Sequence, residues 1–371
     1  MKTMNIIRTN LYALVLLFTV TISCQNKKEN KEMNIEKFYY QPTITCPLGY
    51  PVEVYRGGLE SQDGSFEPLN LGTHTGKGGW GHTGGSMSSG IKSIPNRLNL
   101  IWVSYAEDTF YSIDCDIDYN KMVEKFKEGY QNSAFFFNKN GEYKKETYTY
   151  IVVGFAPGGV VVVWLAGSGR EVEIGRYEGE KIVVSNEEIA KLDNHDRLIF
   201  QQDYRKKTML NEKIVPIEVQ QANKNKAIPY GVWDEYRKRY SWRPTFVQNV
   251  VDDSAFVIRK VRMDMFNGEF ESLFDQSLIK NEFSERAIPK KVNFSWKDKN
   301  GQVYSGTIDF DEEEVFKAYS EIFKDNKDLK IEIEFKVNTL NTFIKVILKS
   351  VDKEISLSKT KIDVFKSDIK Y

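Results

Sequence analysis

The stretch GTHTGKGGWGHTGGSMSSG, residues 72–90, gathers two of the chain's three histidines, a lysine, a tryptophan and a dense run of glycines. Two chemistries use such residues. Backbone N–H groups of a glycine-rich loop cradle phosphates, and paired histidines begin zinc sites. Gly76-Lys77-Gly78-Gly79-Trp80-Gly81 formally satisfies G-x-G-x-x-G. A dinucleotide loop must also open a helix whose N-terminus faces the pyrophosphate, and HTGGSMSSG cannot start one. A P-loop fails too, because Gly78 stands where Ser or Thr must follow Lys77. For zinc, neither a Cys nor a third His accompanies His74 and His82 in the stretch, and a closed site wants four fixed ligands. The glycines are instead expected to supply left-handed backbone and close approach to a neighbour. Trp80 then becomes the residue of interest, as an anchor folded onto the core or offered to a partner.

Other reactive side chains fare no better. Asp114, Asp116 and Asp118 alternate, so on a strand they share one side. A calcium loop would need Gly and Glu at its sixth and twelfth positions, where Tyr119 and Lys125 stand. Glu107 and Asp108 fall in a hairpin turn without an identifiable carboxylate partner. Ser168, in Gly-Ser-Gly, lacks the strand–turn–helix setting of a nucleophile elbow. His195 in LDNHDRL reads as the surface end of a helix. The residues point to no catalytic centre, metal or cofactor.

The elements that position these residues follow from patterning. The chain has 371 residues, 41% hydrophobic and 28% charged, with 52 basic and 52 acidic side chains. This is a globular composition whose net charge gives no global drive towards nucleic acid, so no nucleic-acid partner is expected. Many Tyr and Phe with few Pro favour sheet. One pattern occurs twice, in SIPNRLNLIWVSYAEDTFYSIDCDIDYNKMVEKF (93–126) and AIPKKVNFSWKDKNGQVYSGTIDFDEEEVFKAY (287–319). Trp102 corresponds to Trp296, Tyr111 to Tyr304, and Asp116 and Asp118 to Asp309 and Asp311. Each copy reads as a strand hairpin, then a helix capped by Asp118 or Asp311, with Asp311 and Glu314 fitting a capping box. Met122, Val123, Phe126 and Tyr130 recur at helical spacing in the first copy, and Val315, Phe316, Tyr319, Ile322 and Phe323 in the second. A second strand pair follows each helix, turning at Ala156–Gly159 and Asn338–Asn341. The Val160–Val163 run reads as a strand buried on both faces. The expected fold is sheet-rich α+β, a tandem of two related antiparallel-sheet-plus-helix units, each sheet covered on one face by its helix. The units are placed at 39–242, with a helical insertion, and 243–371. Within the insertion, Trp233, Tyr236 and Tyr240 share a helical face that reads first as core packing.

The first segment is an address. MKTMNIIRTNLYALVLLFTVTISC, residues 1–24, has a basic start, an apolar stretch and small Ser23 before Cys24. It resembles a bacterial lipoprotein signal, which implies that Cys24 is acylated and becomes the mature N-terminus, anchored in the bilayer. Residues 25–38 read as a flexible tether. Gln25 after the cysteine resembles lipoproteins sent to the outer membrane, which places the chain in the cell envelope, periplasmic or surface-facing. Cys46 and Cys115 then remain in a compartment that permits disulfides. Two readings stay open for them: a bridge, or two separate small apolar residues.

At GGWG (78–81), IPNRLNLIWVSYAEDTFY (94–111), VGFAPGGVVVVWLAG (153–167) and IPYGVWDEYRKRYSW (228–242) the chain resembles a bacterial family known as domain of unknown function 2931. The resemblance spans about residues 45–245. It implies a lipoprotein and brings neither an activity nor catalytic residues. Members sometimes accompany secreted antibacterial effectors, which implies an immunity role. The expected function is a non-enzymatic, lipid-anchored module that binds a protein, with a secreted toxin as the candidate partner, through Trp80, His82, Glu107 and Trp233. The alternative is a surface glycan-binding lipoprotein with Trp80 and Trp233 as aromatic platforms.

Overall fold

Period-two alternation sets most of the chain into strands, as in Lys330–Val337, where Ile331, Ile333, Phe335 and Val337 are buried and the residues between them are not. A computed structural model describes residues 35–132, 144–248, 256–274 and 276–367. The signal segment, Cys24 and all but the end of the tether lie outside these described residues. From Lys37 onward the chain forms one compact unit.

The first half contains strands β1 (Lys37–Thr45), β2 (Val52–Glu60), β3 (Phe66–Pro68), β4 (Gly90–Ser93), β5 (Arg97–Ser104) and β6 (Thr109–Asp116). Helix α1 (Tyr119–Glu128) follows, then the short strands β7 (Tyr130–Asn132) and β8 (Lys144–Glu146). The half continues with β9 (Tyr150–Ala156), β10 (Val160–Ala166), β11 (Arg170–Glu178) and β12 (Glu180–Ile182). An insertion carries α2 (Asn186–Ala190), α3 (Gln202–Leu210), α4 (Ile217–Asn223) and α5 (Val232–Glu235). The second half holds β13 (Tyr240–Gln248), β14 (Val257–Met265), β15 (Phe270–Phe274), α6 (Gln276–Lys280), β16 (Ser284–Arg286), β17 (Pro289–Lys297) and β18 (Val303–Asp309). It ends with α7 (Glu312–Ile322), β19 (Lys330–Val337), β20 (Ile344–Lys349), β21 (Glu354–Leu357) and β22 (Lys361–Lys366).

These strands build a sheet-rich α+β fold with four sheets. A ten-stranded sheet runs β22-β18-β17-β14-β15-β11-β10-β9-β1-β4. Two five-stranded sheets run β12-β6-β5-β2-β3 and β16-β13-β19-β20-β21, and β7 pairs with β8. Nearly all pairs are antiparallel; the exceptions are β1 with β9 and β13 with β19. Within the ten-stranded sheet, β11 and β15 touch over only two residue pairs, Arg170–Glu271 and Glu171–Phe270. This is a seam between strands of the two halves.

Each half has its own core. In the first, Val54, Leu100 and Trp102 of the five-stranded sheet meet Ile151, Val153 and Val163 of the ten-stranded one. In the second, Val261, Val292 and Trp296 meet Ile331, Phe335 and Val346. The cores are therefore sheet packed on sheet, where the sequence had suggested sheet under helix. The physical reason is reach: α1 spans 10 residues and buries only Met122 and Phe126, too little to cover five strands. Helix α1 stops at Gly129, which takes φ 59°, so Tyr130 joins β7 and not the helical stripe. Asp118 and Asp311 do cap their helices, accepting from Lys121 N and Glu314 N. The reciprocal half of the capping box is absent, because the Glu314 carboxylate accepts instead from Ser358 and Lys359 backbone N–H groups. The valine run is buried on both faces as expected: Val161 and Val163 belong to the first core, while Val160 and Val162 join Trp164 on the opposite face.

Candidate functional site

The opposite face of β9 and β10 needs a cover, and the glycine loop and α5 supply it. Trp80 lies edge-on against Trp164, with ring centroids 4.9 Å apart at 86°. Trp233 meets Tyr50 in the same T-shaped manner at 5.4 Å. Both indole N–H groups of the Trp80–Trp164 pair are buried without an acceptor among the described residues. The loop is tied down by Thr43 and Thr45, whose hydroxyls donate to Gly85 O (2.6 Å) and Gly79 O (3.1 Å). Gly81 adopts φ 82°, and a Cβ placed on it would lie 2.5 Å from Gly268 Cα. Here the loop of the first half presses its backbone onto the β14–β15 turn of the second, which no other residue allows. The glycines thus serve left-handed backbone and close approach, as the sequence suggested.

The four residues expected to contact a partner are placed differently from one another. Trp80 is half-buried and folded onto the core. His82 is exposed on the loop. Trp233 is only 3% exposed, so it supports the cover from beneath and offers no ring face to a partner. Glu107 is a latch: its Oε1 accepts from Tyr111 OH (2.8 Å), Gly158 N (3.1 Å) and Tyr230 OH (3.1 Å). The adjoining Asp108 accepts from Gln202 (2.8 Å) and from Arg205 of α3. The β5–β6 hairpin tip therefore clamps the insertion onto the sheet. Phe110 stacked on Phe200 at 4.8 Å extends the clamp.

Cys46 and Cys115 are both free thiols in this structure. Cys46 is buried, with Sγ 3.4 Å from both Nδ1 and the carbonyl O of His74. Nδ1 also accepts from Gly76 N (3.3 Å), so the ring proton belongs on Nε2. This thiol–imidazole contact is not an activated pair. Burial pushes the Cys46 thiol far up, against the weaker pull of a backbone hydrogen bond. Burial, then the nearby His82, hold His74 below its ordinary value and keep it neutral. Cys115 is pushed up to about 11 by burial and by Asp114 and Asp116. Among the described residues there is no group of three or more His, Cys, Asp and Glu that could hold a metal ion. Nor is any described helix long and apolar enough to cross a membrane.

Two concavities were not visible from the sequence. The first is a groove of about 500 Å³ on the insertion, lined by Met209, Leu210, Val215 and Ile217 together with Gly49. Leu210 and Ile217 are 71% and 45% exposed, and as large apolar side chains lining one depression they form an open apolar surface. The second is a cavity of about 310 Å³ at the seam, where β11 and β15 diverge. Glu171, Glu173, Glu269 and Glu271 line it together with Arg170, Arg239 and Arg286. Alternation in Arg170–Ile174 carried the only advance signal: Val172 and Ile174 turn into the core, which sends both glutamates to the other face. What cannot be read from that alternation is that this face is covered too.

Neither a curated protein nor a solved structure matches the chain. A family model described as "Protein of unknown function (DUF2931)" matches residues 23–231, an extent that starts earlier and ends sooner than the motifs had suggested. It takes in the glycine loop, both Trp-bearing strands of the first sandwich and most of the insertion, more than half of the chain, and the protein belongs to that family.

Proposed function

We propose that this protein is a membrane-anchored lipoprotein, acylated on Cys24 and held in the cell envelope, that acts by binding another protein and performs no reaction of its own. The observation that carries the reading is the insertion groove. Large apolar side chains left open in a depression cost free energy in water unless a partner covers them, so their retention marks an interaction surface. The latch at Glu107 and Asp108 supports it, because it holds the groove-bearing helices rigidly against the sheet and lowers the ordering cost of binding. The partner is a protein that inserts apolar side chains, and a secreted toxin neutralised at the membrane fits that description.

The test is crosslinking of the full chain in its own membranes, followed by mass spectrometry. Expected is one stoichiometric protein partner, lost in Leu210→Asp and Ile217→Asp while folding is retained. Crosslinking unchanged by both substitutions would sink the groove as the contact surface. Intact-mass analysis should find acyl chains on Cys24, absent in Cys24→Ser. For the glycan alternative, Trp233 offers no open ring face for stacking on a saccharide, which leaves Trp80 as its platform.

The two halves we read as tandem related units, 39–242 and 243–371. Their strand orders support this: β12-β6-β5-β2-β3 has its counterpart in β22-β18-β17-β14-β15, and β11-β10-β9-β1-β4 in β21-β20-β19-β13-β16. So does the register, in which Trp102 faces Tyr111 as Trp296 faces Tyr304. In that reading the insertion groove is the feature that the second unit lacks.

A further inference from the structure

The seam cavity is walled by carboxylates that the chain's own arginines meet one by one. Glu269 accepts from Arg239 at 2.8 Å, Glu271 from Arg286 at 2.8 Å, and Glu173 Oε1 from Arg237 at 2.7 Å. Arg170 adds a longer contact to Glu271 at 3.4 Å, and Lys121 is engaged with the carbonyl of Ile174 at 2.8 Å. Glu171 breaks the pattern. It is 5% exposed, and among the described residues no ion pair reaches it and no donor reaches its Oε1. Glu173 Oε2, two residues along the same face of β11, is likewise buried without a donor.

We propose that this cavity binds one guanidinium or alkylammonium group against the carboxylates of Glu171 and Glu173. The unmet Glu173 Oε2 is an acceptor, and Glu171 Oε1 becomes one when its carboxyl ionises, so together they call for a ligand that donates. An anionic ligand would meet them with charge of the same sign, while the neighbouring arginines are already engaged. A metal ion is less suited, because no cluster of ligating side chains is assembled there among the described residues. A guanidinium spreads its charge over a planar fork of donors and sheds water more readily than a compact cation. The cavity, at about 310 Å³, leaves room for such a group and part of the chain that carries it, a water molecule needing only about 30 Å³.

The groups that face Glu171 set the linkage to protons. Burial, then the Glu269 carboxylate and Asp264, hold it well above its ordinary value, and Arg262 opposes them only in part. Arg262 is itself engaged with Asp264 at 2.8 Å and lies over the Phe270 ring. The Glu171 carboxyl therefore holds its proton more readily than an ordinary carboxyl does. Uptake of a cation expels that proton to solvent, so binding tightens as pH rises and releases up to one proton per ligand.

The experiment is titration calorimetry of the full chain in detergent with agmatine, with the tripeptide amide Gly-Arg-Gly, and with glutarate as the anionic control. Either cation binding in a single saturable step supports the site, and comparison of the two tells a free small molecule from a peptide side chain as the source. Expected besides are heats that depend on the buffer's ionisation enthalpy, tighter binding at about pH 8 than at about pH 6, and weakening by roughly tenfold or more in Glu171→Gln. No saturable binding of either cation at millimolar concentration, glutarate binding in their place, or unchanged affinity in a folded Glu171→Gln would each overturn the proposal. Should Glu171→Gln not fold, Glu173→Gln and the proton release of the unaltered protein decide the matter in the same way.

Discussion

Substituting alanine into the glycine loop separates two costs that Gly81 bears together. At Gly85, φ is not positive and an added Cβ meets nothing within 4 Å. Gly85→Ala should be neutral or stabilising by about 0.4–1 kcal/mol, through the unfolded chain. Gly72 has φ 76° and open space, so Gly72→Ala isolates the left-handed backbone, at roughly 1–2 kcal/mol before that offset. Gly81 has φ 82° and, in addition, the Gly268 backbone 2.5 Å from the new Cβ. Overlap with backbone cannot be relieved by a rotamer change, and overpacking adds about 1–3 kcal/mol. Gly81→Ala should therefore cost on the order of 2–5 kcal/mol before the same offset, the largest loss of the three. Urea unfolding midpoints of the three variants, followed by tryptophan fluorescence, measure the order. Fluorescence is apt because Trp80 adjoins Gly81 and rests on Trp164. If Gly81→Ala unfolds no earlier than Gly72→Ala, the loop does not press on the second half and the account of its glycines is wrong.

Three further outcomes follow from the same geometry. Cys46 and Cys115 should resist alkylation near neutral pH in the folded protein, and a reductant should leave the urea midpoint unmoved; a drop on reduction would reveal a bridge. Asp118→Ala and Asp311→Ala should each cost about 1 kcal/mol, since each removes one acceptor from a helix N-terminus. Two buried groups should give opposed pH slopes. Glu171 binds its proton more tightly when folded, so its contribution is complete below the unfolded carboxyl range near 4.5 and is lost as pH rises through the folded value. His74 does the reverse: its contribution is present above 6.5 and is lost as pH falls through the depressed folded value. Glu171→Gln should abolish only the decline on the alkaline side, in unfolding midpoints measured across pH.

Local patterning made the strands and the helix starts legible. Alternation in Leu98, Leu100 and Trp102 fixed a half-buried strand, and Asp118 and Asp311 announced their helices, because both signals are read within a few residues. The covering of the sheets was not legible in the same way. Whether a sheet face meets a helix, a second sheet or a loop depends on partners far along the chain, as Trp102 on Phe155 and Trp80 on Trp164 show. Glu314 illustrates this, since a capping box and a distant backbone clamp demand the same side chain at the same position. Trp233 and Trp80 look alike in sequence, both aromatic in polar surroundings. One is sealed under the loop's neighbours and the other is half open, a difference that tertiary packing alone creates.

The seam also explains why residues inside the family-matched stretch depend on residues outside it. The match ends at 231, yet Gly81 rests on Gly268, the Glu173 N–H donates to Glu269 at 2.9 Å, and Arg170 reaches Glu271. Only two backbone residue pairs join β11 to β15, and charged contacts such as Arg237 with Glu173 and Arg170 with Glu271 lie beside them. Charged contacts in a cavity are sensitive to what enters it, whereas a full ladder of hydrogen bonds is not. A cation lodged between Glu171 and Glu173 would take the place of the proton that the buried Glu171 carboxyl holds. The seam is thus the place in the ten-stranded sheet where an entering ligand would meet charged side chains of both halves.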